Sequence, residues 1–323
     1  MKAILLAGGK GTRLRPLTLH TPKPIVPIFD RPFLSYQIGL LKQVPEIDEV
    51  ILSLNYQPRR LEETFGDGSG LGIRLRYVVE PSPLGTGGAI KYAARGIDDT
   101  IVVFNGDVMT AVDVAAVVAR HKARQAKATI VLTPVDNPSA YGLVEADGDG
   151  NVRRFLEKPS PDQITCDTIN AGIYVLEPET FDRIPKDTPY SIERGYFPSL
   201  VERGETFIAY VERGYWIDIG TPEKYRDVHR DIFAGRCPIG PAGIAAGQPV
   251  VAPDAKVEAG AVLEGPCFLD AGVVVKTGAR IGPFTVLGRS VLVEEGAQVN
   301  GAIVWPNARI GRDATVDAAL VGR

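Results

Sequence analysis

Histidine and cysteine are scarce in this chain: three of each occur in 323 residues, with two tryptophans and two methionines. So few histidines leave little scope for imidazole base catalysis, and no Ser/His/Asp arrangement stands out. Cys166, Cys237 and Cys267 are odd in number, widely spaced and in no metal-ligand pattern. These fit reduced thiols of the cytoplasm better than a disulfide framework. Long hydrophobic runs are missing as well. No stretch approaches the roughly 18 apolar residues of a membrane span, and the N-terminal apolar run is too short for the core of a signal peptide. Nor is there a surplus of positive charge, since 36 Lys and Arg face 39 Asp and Glu. Nucleic acid and anionic membranes are therefore poor candidates for the main partner, and any phosphate binding must be local. A soluble, cytoplasmic protein is expected.

What is present falls into two patterns. From Met1 to about residue 235, strand-like runs alternate with helical ones. "KAILLA", "EVILSLN", "IRLRYVV", "TIVVFNGD" and "ATIVLTPV" are short and aliphatic, as strands buried on both faces are. Between them "PFLSYQIGLLKQV", "PRRLEETFG", "GTGGAIKYAARG" and "VDVAAVVARHKARQAK" carry apolar residues at helical spacing. The alternation predicts βαβ crossovers in an α/β fold with a Rossmann-like, mixed but mainly parallel sheet. In "YGLVEADGDGNVRRFLEKP", two strands flank Asp147-Gly148-Asp149-Gly150-Asn151, which predicts an antiparallel hairpin.

After a Pro/Gly linker over 236–249, aliphatic residues recur at every sixth position: Val251, Val257, Leu263, Leu269, Val275, Ile281, Leu287, Val293 and Val299. One step of five leads to Val304, and the period resumes at Ile310 and Val316. A hexapeptide period marks a parallel β-helix with the aliphatic residues stacked inside. The pattern resembles the left-handed hexapeptide-repeat proteins and gives three parts: a catalytic segment 1–235, a linker 236–249 and a left-handed β-helix 250–323.

The N-terminal run ends in "LAGGKGTRLRPLT". A strand followed by such glycines presents backbone N–H groups that can surround phosphate oxygens, and Arg13 and Lys23 add charge. It matches neither G-x-G-x-x-G nor G-x-x-x-x-G-K-[ST]. Together with "TPKP", "EPSPLGTGGAI", "FNGD", "YGLVE", "FLEKP", "INAGIYVLEPE" and "GYWIDIGTPEKY", in that order, it resembles the sugar-1-phosphate nucleotidylyltransferases over residues 1–235. The nearest likeness is to mannose-1-phosphate guanylyltransferases that carry a β-helix tail.

The resemblance implies transfer of a nucleoside monophosphate from an NTP to a sugar 1-phosphate with release of pyrophosphate. It places Leu6, Ala7, Gly8, Gly9, Gly11, Thr12, Arg13, Lys23, Glu80, Gly85 and Asp107 at the nucleotide, and Gly142, Glu157, Lys158 and Asn170 at the sugar phosphate. It makes Asp107 and Asp218 the ligands of Mg2+, a hard cation that takes one or two carboxylates plus phosphate oxygens. Arg13, Lys23 and Lys158 become the catalytic cations. The attacking phosphate is already an anion, so no general base is required.

Glu80 bears on the base. Guanine presents N1–H and its amino group side by side, which one carboxylate accepts bidentately. Uracil and thymine offer a donor beside an acceptor, which suits an amide. GTP is therefore expected, and mannose 1-phosphate as the sugar. The alternatives are thymidylyl or uridylyl transfer to glucose 1-phosphate, guanylyl transfer to a heptose 1-phosphate, and a non-catalytic regulatory paralogue. Acetyl transfer on the coils is disfavoured, because His20, His121 and His229 all precede them. The tail is expected to make a homo-oligomer and to be removable near Gln248 with much of the catalysis retained.

Overall fold

The computed structural model describes residues 1–244 and 247–322. Ala245 and Ala246 of the expected linker, and the final residue of the expected tail, lie outside the described residues. Contacts divide the chain into two compact units, and neither is one continuous stretch. The first comprises Met1–Lys10, Pro22–Pro24 and Leu34–Trp216. The second comprises Gly11–Thr21, Ile25–Phe33 and the chain from Ile217 onward.

The first unit is built on a nine-stranded sheet. Strands Arg74–Val79, Glu49–Leu54, Lys2–Leu6 and Ile101–Asn105 lie side by side in that order and run parallel. Their aliphatic runs are buried on both faces: Ile4, Leu5, Ile51, Leu52, Val102 and Val103 are fully enclosed. The expected helices form at Leu34–Leu41, Pro58–Phe65, Gly85–Ala93 and Val114–Ala123. Beyond Ile101–Asn105 the sheet turns antiparallel, through Thr168–Leu176 and then Ala128–Pro134. The hairpin forms from Gly142–Ala146 and Val152–Glu157. Its turn is closed by the Asp147 carboxylate, which accepts from the amides of Asp149 at 3.1 Å and Asn151 at 2.8 Å. These Asn151 bonds hold the Asp147 carboxyl down to about 2. Among the described residues no helix is long and apolar enough to cross a membrane.

The second unit contains the β-helix, whose short strands stack into three parallel sheets. Leu269, Val275, Ile281, Leu287 and Val293 are wholly buried along its axis. The corners repeat with the same period. Gly272, Gly278, Phe284, Ser290 and Gly296 all take positive φ, a conformation that favours residues with little or no side chain. Strand partners stand 18 residues apart in the early coils, as Cys267 with Thr285. The step of five after Val299 reduces this to 17, as Val286 with Ile303.

This β-helix is not a free tail. Within the second unit Phe268 packs edge-on against Phe29 and Phe284 against Phe233, with ring centroids 5.4 Å and 5.9 Å apart. The Trp305 indole N–H donates to the Tyr225 hydroxyl at 3.0 Å. Tyr225 and Phe233 belong to helix Pro222–Phe233, capped by Thr221. Phe284 holds φ 58°, and its ring contact with Phe233 accounts for an aromatic residue at a corner that favours glycine. The expected removal of the tail at Gln248 would therefore strip cover from Phe29, Tyr225 and Phe233.

Candidate active site

Parallel strands of equal register bring their C-terminal ends to one edge, where α/β sheets hold ligands. Here Leu6 lies level with Ser53 and Asn105, and Leu54 with Val79. Ala7 and Gly8, then Asn55, Glu80 and Asp107, thus follow these strands along one edge of the first unit. The Ala7 amide donates to the Ser53 carbonyl at 2.9 Å. At Gly8 a side chain would crowd its neighbours: a Cβ would stand 3.0 Å from the Asn55 nitrogen and 3.4 Å from Glu80 Oε1. A Cβ on Gly9 would meet nothing within 4 Å, so the backbone is accessible there.

Glu80 is 9 % exposed. Its Oε2 accepts from the Leu84 amide at 2.9 Å and its Oε1 from the Ser53 hydroxyl at 3.3 Å. Burial raises its pKa against the pull of those two donors. The carboxylate thereby ties the loop 81–84 to the strand ends and fixes the start of helix Gly85–Ala93. Gly87 and Gly88 of that helix donate to the Tyr190 carbonyl at 2.9 Å and 3.2 Å. Asp107 follows strand Ile101–Asn105, and its Oδ2 accepts from the buried Lys23 ammonium at 3.0 Å.

A second cluster of the first unit gathers the residues expected at the sugar phosphate. Phe155 and Glu157 fill the space where a side chain at Gly142 would stand. Burial raises the Glu157 pKa, and the charge of Glu193 raises it further. Lys158 donates its amide to the Tyr141 carbonyl at 3.0 Å and adopts φ 53°, a strained value for a lysine. Asn170 donates to the Tyr174 hydroxyl and accepts from the Gly172 amide, both at 2.9 Å. The register of strand Thr168–Leu176 slips between Asn170 and Tyr174, so the "INAG" motif forms a bulge.

Sequence reasoning missed several neighbours. Tyr141 and Trp216 meet edge to face at 5.6 Å, and the Trp216 indole donates to the Ala171 carbonyl at 2.9 Å. Glu193 sits in a π-helical turn, Ile192–Tyr196, and accepts from the Thr86 hydroxyl at 2.7 Å. π turns recur at functional sites. In the sequence, "SIERGYFP" shows no period that would set Glu193 apart, and aromatic pairs read as core.

The remaining predicted residues belong to the second unit. The loop Gly11–Thr21 opens with Gly11 at φ 60° and the short turn Thr12–Leu14. The Thr18 hydroxyl donates back to the Gly11 carbonyl at 2.6 Å. Arg13 reaches Gly220, where a Cβ would lie 3.4 Å from the guanidinium carbon and 3.1 Å from Asp218 Oδ2. Arg13 and Asp218 thus flank the same glycine, and Lys224 pairs with Asp218 from the helix that follows. Asp107 in the first unit and Asp218 in the second each present a hard carboxylate oxygen beside a cation, the kind of donor Mg2+ takes alongside phosphate oxygens. Among the described residues no group of three His, Cys, Asp or Glu forms a metal cluster. The buried side-chain amide oxygen Oδ1 of Asn105, two residues before Asp107, has no hydrogen-bond partner.

The profile of the family described as Nucleotidyl transferase matches residues 2–235. Over 317 residues, 98% of this chain and 82% of that protein, the chain is 41% identical to the mannose-1-phosphate guanylyltransferase of Mycobacterium tuberculosis (strain ATCC 25618 / H37Rv). It is 31% identical over 346 residues, 100% of this chain and 88% of that protein, to the UTP–glucose-1-phosphate uridylyltransferase of Synechocystis sp.. Among solved structures, HddC from Yersinia pseudotuberculosis complexed with GMP-PN matches with a TM-score of 0.61 at 30% identity, over 72% of this chain and 99% of that chain.

Proposed function

The chain belongs to the nucleotidyl transferase family, and we propose on that premise that it transfers GMP from GTP to mannose 1-phosphate, yielding GDP-mannose and pyrophosphate. The observation that carries the reading is the strand-end edge of the first unit. There Gly8 lies against the Glu80 carboxylate, Gly9 leaves its backbone open and Lys23 holds Asp107. The Gly142–Glu157–Lys158 cluster belongs to the same unit.

In the proposed reaction a phosphate oxygen of mannose 1-phosphate attacks the α-phosphorus of GTP, and the bond to the β-phosphate oxygen breaks in line. Lys158 orients the attacking phosphate, Lys23 neutralises the nucleotide phosphates and Arg13 takes up charge on the departing pyrophosphate. Glu157 and the Asn170 bulge hold the sugar. Asp107 and Asp218 are the proposed ligands of Mg2+, which when bound supplies charge neutralisation on the phosphates.

Glu80 favours guanine over uracil, although the uridylyl relative shows that this family uses both bases. Glu80→Gln keeps an acceptor for the Leu84 amide and loses the second acceptor for guanine. The preference for GTP over UTP should then fall by roughly ten- to a hundred-fold in kcat/KM, matching about 1.5–3 kcal/mol for a charged hydrogen bond. Pyrophosphate release over a matrix of NTPs and sugar 1-phosphates tests the whole assignment, and a parent enzyme that prefers UTP or dTTP overturns the guanylyl reading.

The reading keeps 1–235 as the catalytic segment, 236–249 as a linker and 250–323 as the β-helix. It includes a cytoplasmic location, in keeping with three unpaired cysteines. It also includes a homo-oligomer through the β-helix, whose first coil leaves Val251, Val257 and Val262 exposed. A monomer at micromolar concentration by light scattering would remove the oligomer.

A further inference from the structure

Loop Gly11–Thr21 carries Arg13 yet has few contacts of its own. Arg13, Arg15, Pro16, Leu19 and His20 are exposed, and only Leu14, Leu17 and Thr18 are buried. Leu17 lies beside the far end of the chain. A Cβ on Gly322 would meet Leu17 Cδ2 at 3.5 Å and Trp305 Cε3 at 4.0 Å, so these two side chains meet beside Gly322, just past the last strand of the β-helix, Leu320–Val321.

Trp305 is itself fixed by two hydrogen bonds. Its amide donates to the Val321 carbonyl at 2.9 Å. Its indole N–H donates to the Tyr225 hydroxyl at 3.0 Å, and that hydroxyl donates to the Pro27 carbonyl. From the same helix, Arg226 donates to the Ala318 carbonyl at 3.1 Å. Within the loop, the Thr18 hydroxyl and the Leu14 amide both donate to the Gly11 carbonyl, at 2.6 Å and 3.0 Å. A fixed Leu17 therefore fixes the turn that presents Arg13 beside Gly220.

We infer that Trp305 and Leu17 are positioning residues for Arg13, which makes the last coil of the β-helix a working part of the pyrophosphate end of the site. The inference rests on the proposed role of Arg13. Loosening this clasp lets the guanidinium sample other positions, so interactions with pyrophosphate weaken. The proposed contacts of mannose 1-phosphate belong to the first unit and stay as they are.

The test is steady-state kinetics in both directions on full-length Trp305→Ala, Trp305→Phe and Leu17→Ala. For Trp305→Ala and Leu17→Ala, the KM for pyrophosphate in the reverse reaction should rise about ten-fold, and the KM for mannose 1-phosphate should stay within about two-fold. Trp305→Phe keeps the packing and should restore most of the affinity. Residues that act through one shared neighbour, here the chain at Gly322, are non-additive, so the Leu17→Ala, Trp305→Ala double variant should be no worse than the worse single. A purely architectural role lowers the melting temperature and the number of active molecules but leaves every KM unchanged, and that result overturns the inference. Should Trp305→Ala fail to fold, Leu17→Ala in its surface loop decides alone. A parent inactive with GTP but active with another NTP refutes the guanylyl reading only, and the same measurements with that NTP still decide on Trp305.

Discussion

In the first unit the candidate residues stand on the ends of adjacent parallel strands; in the second they stand on a loop and at the end of a three-residue strand, Trp216–Asp218, from separate stretches of chain. Gly8, Glu80 and Asp107 each follow a strand whose neighbours fix its height to the residue. Arg13 has no such frame, and Asp218 has only the short strand Trp216–Asp218. One lies on an exposed loop and the other before a helix that packs on the β-helix through Tyr225 and Phe233. A site on strand ends inherits its precision from backbone hydrogen bonds. A residue on a loop, as Arg13 is, takes it from side-chain packing farther off, so distant substitutions should tell there.

The most severe way to break this comparison is to remove the repeat. A chain ending at Gln248 loses Phe268, Phe284 and Trp305 and uncovers Phe29, Phe233 and Tyr225. Exposed aromatic surface of this kind drives association, so we expect aggregation and no turnover. A monodisperse fragment with near-parental activity would show that the first unit holds the site without the frame.

The next test takes one carboxylate from each unit. Asp107→Asn and Asp218→Asn should each reduce turnover by about 10³-fold, the scale for losing a group that neutralises transition-state charge. Melting temperatures should stay within a few degrees of the parent. Activity within a few-fold of the parent in either variant would remove that residue as a metal ligand.

Gly220→Ala is a finer probe of the second unit. The added methyl would press on Asp218 at 3.1 Å and on the Arg13 guanidinium at 3.4 Å. Displacing catalytic groups by a fraction of an ångström to an ångström costs up to roughly 10²-fold, and such a loss should appear in turnover rather than in stability. Unchanged kinetics would mean that Arg13 and Asp218 tolerate being moved.

The mildest probe is acid. Each unit buries one histidine. His121 has a carboxylate partner, Glu177 at 2.9 Å, and a hydroxyl partner, Thr129 at 2.8 Å. His229 has only backbone: its Nδ1 donates to the Tyr225 carbonyl at 2.8 Å, and its Nε2 accepts from the Phe29 amide at 3.4 Å. Burial pushes His229 down to about 4. A histidine depressed in the folded state binds its proton more readily once unfolded, so stability falls as pH drops from about 6.5 toward 4. Between pH 7 and pH 5 the cost is about 2 kcal/mol. Urea unfolding at the two values should show it in the parent and lose it in His229→Gln, and equal pH dependence in both would discount His229.

Much of this architecture is legible because its signals are local. Six-residue spacing marks both the buried axis and the positive-φ corners, and alternating aliphatic runs mark the parallel strands. The "FNGD" and "FLEKP" motifs place Asp107 and Lys158 at strand ends for the same reason. Glu193, Trp216, Gly220 and Trp305 were not legible. Each matters through a neighbour far away in sequence: Thr86 for Glu193, Ala171 for Trp216, Arg13 for Gly220 and Tyr225 for Trp305. Aliphatic periodicity also says nothing about what a β-helix rests on, which is why the tail reads as removable in sequence and not in the folded chain.

The pairing of Leu17 with the chain at Gly322 has a consequence in time. A ribosome delivers about 5–20 residues per second, and domains fold as their parts emerge. Residues 11–33 leave the ribosome early, yet their partners at 217–322 appear last. The arginine loop therefore waits on the order of 15–60 s for its support, long after strands 2–6 and 49–54 can pair. Contacts this distant in sequence are slow to form. Until its final coil is made, the nascent chain has nothing beside Leu17 to steady the arginine loop, so the proposed pyrophosphate contact of Arg13 is set only at the end of synthesis.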